Sequence, residues 1–450
     1  VARDLLFKNG YVVTMDPDLG DVPSTDIRVS GNRIEEIGKG LEAGDAEVVD
    51  AAGLTIIPGL IDTHRHTWQS VLRNSLPDVD LPQYLQTILN TFAPHYRPED
   101  VAASNLLGSF GAINAGVTTM LDWSHIINTP AHADAAIEAL QASGIRAVFA
   151  HGAPNQPHAE WWKDSVLTHP KDFARVRSQY CSSEDQLVSL AMALRGPEFA
   201  TIEATTADVE LARSLDTPMT MHVGCGGLGP KYRAIEQMHN AGILGPDMTF
   251  VHCTTSSDDE LKMLVAAGSS VSIAPAVESQ MGHGDPPFNR FSDLGVRPSL
   301  SVDVETSTAS DMFTQMRAAY HTSRLIAHDR ARAGRNAQFL STRDVLELAT
   351  MEGARTLGLE SKVGSISVGK HADLVLLDLN RVNVAPVNNV IGAIVLSVDT
   401  SNVVSVVIDG VFRKRDGVVI GLDYDAVMES SYRSRDFLYQ SAGRKPDQLV

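Results

Sequence analysis

Two histidines one residue apart, His64 and His66, close the stretch Pro58-Gly59-Leu60-Ile61-Asp62-Thr63-His64-Arg65-His66. Ile56, Ile57, Leu60 and Ile61 supply the apolar run of a short buried strand, and the histidines arrive where that run stops. Side chains alternate faces along a strand, so His64 and His66 point one way and Arg65 the other. Two imidazoles on one rigid element are half of a zinc site, and water activated by a metal is the chemistry such a site supplies. In a chain with 15 histidines the bland reading of the pair is two surface imidazoles. The residues around it, and the groups that recur downstream, favour the metal.

The segment 58–362 alternates β-branched runs with helical stretches at the spacing of repeated βα units. The pattern predicts strands ending near His66, Asp122, His151, Leu194, His222, His252, Val277 and Asp303, with helices such as 98–115, 131–143, 206–215, 230–240, 257–267 and 310–326 between them. Eight such units in about 300 residues suit a (β/α)8 TIM barrel, which carries its chemistry at the C-terminal ends of the strands. His222, His252 and Asp303 join the first pair at those ends. The flanks have a different texture. Short strands and tight turns fill 5–53, read as hairpins, and the same texture returns at 372–378 and 403–408, followed by Asp409-Gly410 and Asp416-Gly417. Neither flank can bury a sizeable core alone, so both ends are expected to pair into one small β-sandwich. The expected organisation is 1–57 and 363–450 for that domain, 58–362 for the barrel, and a charged tail helix from Asp423.

Bulk composition narrows the function. With 43% hydrophobic and 20% charged residues over 450 positions the chain reads as globular, and its formal charge of −18 argues against nucleic acid or an anionic membrane surface as partner. A small neutral or cationic substrate is easier to accommodate. The three cysteines, Cys181, Cys225 and Cys253, form no C-x-x-C pair, and no run of apolar residues is long enough to span a bilayer, so a cytoplasmic protein is expected.

Further motifs give a resemblance. Gly116-Val117-Thr118-Thr119 before Asp122, the Asp303 strand followed by Asp311-Met312-Phe313, and Val363-Gly364-Ser365-Ile366-Ser367-Val368-Gly369-Lys370-His371-Ala372-Asp373 accompany the H-x-H stretch in order along nearly the whole chain. The chain resembles the amidohydrolase superfamily, within it the group of guanine and cytosine deaminases, adenosylhomocysteine deaminases and triazine hydrolases. That resemblance implies a homodimer or homotetramer in which His64, His66, His222 and Asp303 hold one divalent metal. Zinc is the first choice, and iron, cobalt or manganese can bind the same set. It also implies Asp303 as general base and His252 as the group that steers the water and stabilises developing charge. Binuclear relatives carry a bridging lysine after the fourth strand, and Leu190-Ala191-Met192-Ala193-Leu194-Arg195-Gly196 contains none. One metal is the expectation.

One position departs from the pattern. Mononuclear deaminases of this kind carry H-x-x-E after the fifth strand, and that glutamate protonates the ring nitrogen beside the attacked carbon; here the motif is His222-Val223-Gly224-Cys225. Cys225 can be a filler, a thiolate contact to metal or substrate, or a bystander while the proton comes from elsewhere. The last is favoured, with Glu278, His283 and Glu305 as replacements that the sequence does not rank. Asp122, His125 and His151 are candidate substrate contacts, and Trp68 and Gln69 could stack on and hydrogen-bond a flat heterocycle. The expected function is a metal-dependent hydrolase that adds water to a nitrogen-heterocycle carbon and expels an exocyclic group. An amine is the default leaving group, and the missing glutamate raises the weight of halide or sulfide. Opening of a cyclic amide is the alternative; a non-catalytic scaffold is disfavoured because every ligand is present.

Overall fold

The computed structural model describes residues 4–183 and 185–446. The chain begins with β1 (Leu5–Val13), β2 (Asp21–Ser30), β3 (Arg33–Gly38), β4 (Glu47–Asp50) and β5 (Thr55–Pro58). β1, β2 and β3 are successive antiparallel neighbours, the β2–β3 turn being Gly31-Asn32, as the hairpin reading expects. β4 and β5 do not form a hairpin. Both run parallel to β1, β4 beside Leu5 to Lys8 and β5 beside Tyr11 and Val12, because the turn at 51–54 moves the chain along the same edge instead of reversing it.

Eight strands occupy the middle of the chain: β6 (Leu60–Arg65), β7 (Val117–Ser124), β8 (Arg146–His151), β9 (Val188–Leu194), β10 (Met219–Val223), β11 (Met248–His252), β12 (Ser270–Ile273) and β13 (Ser299–Leu300). They pair in sequence order and all in parallel, with helices in the connections, which is the (β/α)8 arrangement. Closure between the last and first strands is made at the predicted chemistry itself: Asp303 N–H donates to the His64 carbonyl at 2.9 Å, and His66 N–H donates to the Asp303 carbonyl at 2.8 Å.

Several expected boundaries shift. The seventh strand stops at Ile273, and Val277 belongs to the helix Pro275–Gln280, since Pro275 suits a first helical turn and cannot extend a ladder. The eighth strand is two residues long, so Asp303 lies beyond it. The helix expected over 230–240 is two helices, Leu228–Tyr232 and Ala234–Asn240, broken by Arg233 at φ 49°. The long helix Met312–Arg332 starts where Asp311 accepts the Thr314 N–H at 2.8 Å, an N-cap that the Asp311 motif supplies.

The chain ends in β14 (Leu374–Leu377), β15 (Val403–Ile408), β16 (Val411–Arg415), β17 (Val418–Val419) and the helix Tyr424–Ser441. β14 pairs with β5, so both chain ends join in one nine-stranded mixed sheet. Phe7 on β1 and Phe412 on β16 stand four strands apart in that order, about 19 Å at the usual strand spacing. Their ring centroids are 6.1 Å apart, so the sheet curls over and closes on its own apolar face, as a sandwich does. β5 runs almost directly into β6 through Gly59, where a Cβ would collide with the Thr118 side chain. That close approach accounts for the Pro-Gly step of the motif. Among the described residues no helix is long and apolar enough to cross a membrane.

Candidate active site

β6, β10 and the turn after β13 aim His64, His66, His222 and Asp303 at one point, and one ligand atom from each lies within 4.8 Å of all the others. The His222 Nε2 is 3.1 Å from His64 Nε2 and 3.2 Å from His66 Nε2, and Asp303 Oδ1 is 3.3 Å and 3.4 Å from the same two nitrogens. His66 Nδ1 lies 2.8 Å from the Trp123 carbonyl, which can only accept, so Nδ1 carries the proton and Nε2 turns a lone pair toward the cluster. Burial pushes the imidazoles toward their neutral forms, His66 down to about 3 and His222 well below its ordinary value. Lone pairs of neutral imidazoles converging beside a carboxylate repel one another unless a cation lies between them. This donor set therefore fits a divalent metal of the zinc type and can hold one.

Asp303 and His252 are both held at left-handed backbone angles, φ 66° and 77°, a conformation uncommon for residues with a Cβ. Such angles persist where surrounding structure imposes them, for Asp303 the backbone bonds that close the barrel and for His252 the β10–β11 pairing, where Cys253 N–H donates to the Val223 carbonyl at 2.9 Å. Burial by itself would raise the Asp303 carboxyl, but the adjacent His64, His252 and His66 rings outweigh it and hold the group well below the usual carboxylate range. The Glu278 carboxylate, 3.0 Å from His252 Nδ1, orients that ring and leaves Nε2 facing Asp303 Oδ2 at 3.8 Å. Although burial disfavours its charged form, the Glu278 bond and Asp303 raise the His252 pKa overall.

Arg65 faces away from the cluster, as strand alternation predicts. Its Nε donates to Asp62 Oδ2 at 2.7 Å and its Nη1 to Glu305 Oε1 at 2.6 Å, and Arg73 also pairs with Glu305. Asp62 in turn accepts the Val302 N–H at 3.0 Å, so the buried ion network ties the first strand to the segment that carries Asp303. Glu305 is thereby committed to two arginines and is not available as a proton donor.

The cluster opens into a cavity of about 800 Å³, solvent at its mouth included, whose walls are largely apolar. Leu85, Trp123, Trp162, Phe199 and Met281 supply much of that wall, and His125, Cys225 and His283 face the cavity. Cys225, His252 and His283 also bring their ligand atoms within 4.8 Å of one another. The Cys225 thiol is pushed well above its ordinary pKa by burial, with Glu198, Glu278 and Asp303 adding to it, so it stays protonated rather than thiolate. Trp68 and Gln69 lie behind the wall: the Trp68 indole N–H points to His125 Nδ1 at 3.4 Å, and Gln69 Nε2 donates to the Tyr84 hydroxyl at 2.7 Å. Glu278 likewise stands behind His252. Asp122 accepts from Asn105 at 2.7 Å, and His151 meets His169 at 3.0 Å; both are buried away from the cavity.

One cavity residue was missed by sequence reasoning. Glu198 comes just after Gly196-Pro197 at the end of β9, accepts the Gly224 N–H at 2.8 Å through Oε1, and leaves Oε2 buried with no partner. Burial raises its carboxyl to about 7, with the Gly224 bond and His252 only partly opposing it. The available signal was a glutamate just past a predicted barrel strand, which is weak without knowing what lies beside it.

Barrel, strand-end cluster and cavity together have the form of a barrel hydrolase whose cluster could hold a metal. Residues 55–413 match the model of the amidohydrolase family, and the chain belongs to it. It is 27% identical over 447 residues to a 5'-deoxyadenosine deaminase of Methanosarcina mazei, covering 97% of this chain and 98% of the relative. It is 26% identical over 434 residues to a 5-methylthioadenosine/S-adenosylhomocysteine deaminase of Pyrococcus furiosus, covering 94% and 98%. An adenosine deaminase from Xanthomonas campestris with bound zinc has the same fold, with a TM-score of 0.85 at 24% identity over 97% of this chain and 99% of that one. The chain is a hydrolytic enzyme of the deaminase type, acting on carbon–nitrogen bonds. These relatives favour the amine as leaving group and give no support to the halide or sulfide that Cys225 had weighted upward.

Proposed function

We propose that this enzyme removes the 6-amino group of an adenosine derivative altered at its 5' position, with one divalent metal held by His64, His66, His222 and Asp303. The observation that carries the reading is the convergence of three neutral imidazoles and an ionised carboxylate at the floor of a largely apolar cavity. The relatives named for 5'-deoxyadenosine and 5-methylthioadenosine support the substrate class. When bound, the metal lowers the pKa of water and polarises it for attack. Asp303, ionised in this setting, takes the proton of the attacking water and later hands it to the leaving amine. His252, held by Glu278, donates toward the oxygen that develops charge at the tetrahedral carbon. Trp123, packed at 4.2 Å between ring centroids on His222, and the aliphatic wall exclude bulk water from that carbon.

The test is incubation of the metal-loaded enzyme with adenosine, 5'-deoxyadenosine and 5'-methylthioadenosine, monitoring ammonia release and the conversion of adenine to hypoxanthine chromophore. Turnover of at least one 5'-altered compound in preference to adenosine is expected. Ammonia release from none of the three would overturn the reading.

A further inference from the structure

The family position for the ring-protonating acid holds Cys225, yet protonation of a ring nitrogen still has to accompany attack on the adjacent carbon. Four observations point to another strand end. β9 and β10 are parallel neighbours, with Met192 beside Met219 and Leu194 beside Met221, so the loop leaving β9 stands next to the His222-Val223-Gly224-Cys225 turn. Gly196, at φ 69° and with no room for a Cβ against Met221, turns the chain after β9 back over β10. Glu198 then locks onto that turn by accepting the Gly224 N–H at 2.8 Å. Its second oxygen is buried without a partner in a residue only 4% exposed, and the residue lines the cavity into which the metal-site histidines open. A buried polar atom with no partner in a binding cavity is a group awaiting one.

The competing groups are engaged or stand off the cavity. Glu305 is paired with Arg65 and Arg73. Glu278 accepts from Ala274 N–H at 2.9 Å and pairs with His252, both through Oε1; its Oε2 is also buried without a partner, but the residue stands behind His252 and does not line the cavity. His283 faces the cavity, but burial drives its pKa down to about 3, so near neutral pH it holds no second proton to give.

We propose that Glu198 is the catalytic acid that protonates the substrate's ring nitrogen, moved from the end of β10 to the end of β9. The role rests on the deaminase reading of the site. As the water oxygen bonds to the ring carbon, the carbon–nitrogen π pair moves onto the ring nitrogen, and that nitrogen takes the Oε2 proton of Glu198. The carbon–amine bond then breaks as Asp303 returns its proton to the amine, which leaves as ammonia. The remaining hydroxyl proton passes to Glu198 as the carbonyl forms. One water is consumed, one ammonia leaves, and both carboxyl groups return to their starting states. Burial keeps Glu198 protonated up to about 7, which suits a donor near neutral pH.

The decisive variant is Glu198→Gln in metal-loaded enzyme, assayed with 5'-deoxyadenosine and 5'-methylthioadenosine. A fall of kcat by about 10²- to 10⁴-fold is expected, the size of a lost general acid, with metal content retained and no loss of thermal midpoint. The loss of wild-type rate above about pH 7 should vanish from the residual activity of the variant. Adding Cys225→Glu to the Glu198→Gln variant restores a carboxyl on the neighbouring strand end and should recover part of the rate. Retention of more than a tenth of wild-type kcat by Glu198→Gln would overturn the assignment. If the wild type releases no ammonia from these compounds, the substrate reading fails but Glu198 is still tested by infrared difference spectra of wild type against Glu198→Gln near pH 6. A protonated carboxyl band lost in the variant supports the donor, and its absence removes it.

Discussion

Asp303 and Glu198 lie in one cavity, both buried, and their surroundings push them in opposite directions. Asp303 meets His64 and His66 at 3.3 and 3.4 Å and stays ionised, whereas Glu198 receives a single backbone N–H and is raised to about 7. Burial penalises the charge of both; what differs is how many positive or donating groups offset it. One pocket can hold a carboxylate base and a carboxylic acid at the same pH when three rings crowd one of them and almost nothing crowds the other.

The largest expected effect breaks the Asp303 side altogether. His64→Ala should abolish metal retention and turnover together, because the remaining donors cannot complete the site. Elemental analysis and kcat decide it, and full metal with full turnover would refute the ligand set. Elemental analysis of the wild type should return about one metal per chain. A tight second equivalent would mean that Cys225, His252 and His283 are filled as well.

Asp303→Asn separates ligand from base. The amide oxygen can still ligate weakly but cannot take a proton from water, so kcat should fall about 10²- to 10⁴-fold with a much smaller loss of metal. Equal losses of both would show that Asp303 only ligates.

Arg65→Met tests the scaffold behind that side. It leaves Asp62 buried with its charge uncompensated and Glu305 with Arg73 as its remaining cation, at a cost of about 3–5 kcal/mol in denaturant unfolding. An unchanged midpoint would mean that the ion network carries no stability.

The pH dependence of stability sharpens the Glu198 side. Its folded-state value lies above that of an unfolded glutamate, so the stability associated with it is present at low pH and is lost as pH rises through about 7. Glu198→Gln should therefore gain more in thermal midpoint at about pH 8.5 than at about pH 5. A uniform shift at both would show that the carboxyl is not raised.

Smallest is Cys225→Ala. Its buried thiol is protonated and no proton route uses it, so metal content should hold and kcat should change by less than about tenfold, the size of a modest packing loss. Near-complete inactivation would return the donor role to Cys225.

Local rules reached a definite part of this protein. Strand alternation places His64 and His66 together with Arg65 behind them, and repeated βα spacing places His222, His252 and Asp303 at strand ends, because both periods are properties of a few consecutive residues. The cysteine in the H-x-x-E position and the missing lysine after the fourth strand were equally plain. Tertiary structure decided the rest. β4 and β5 lie parallel to β1 because a neighbour far along the chain supplies their hydrogen bonds, which turn residues cannot announce. Trp68 and Gln69 follow the histidine pair after Thr67 but curl behind the wall, held by His125 and Tyr84. Whether a carboxyl serves as base, acid or structural anchor depends on which groups reach its oxygens. Glu305 meets two arginines, Asp303 meets three imidazoles, and Glu198 meets one amide across a parallel strand pair that only the closed barrel brings into register.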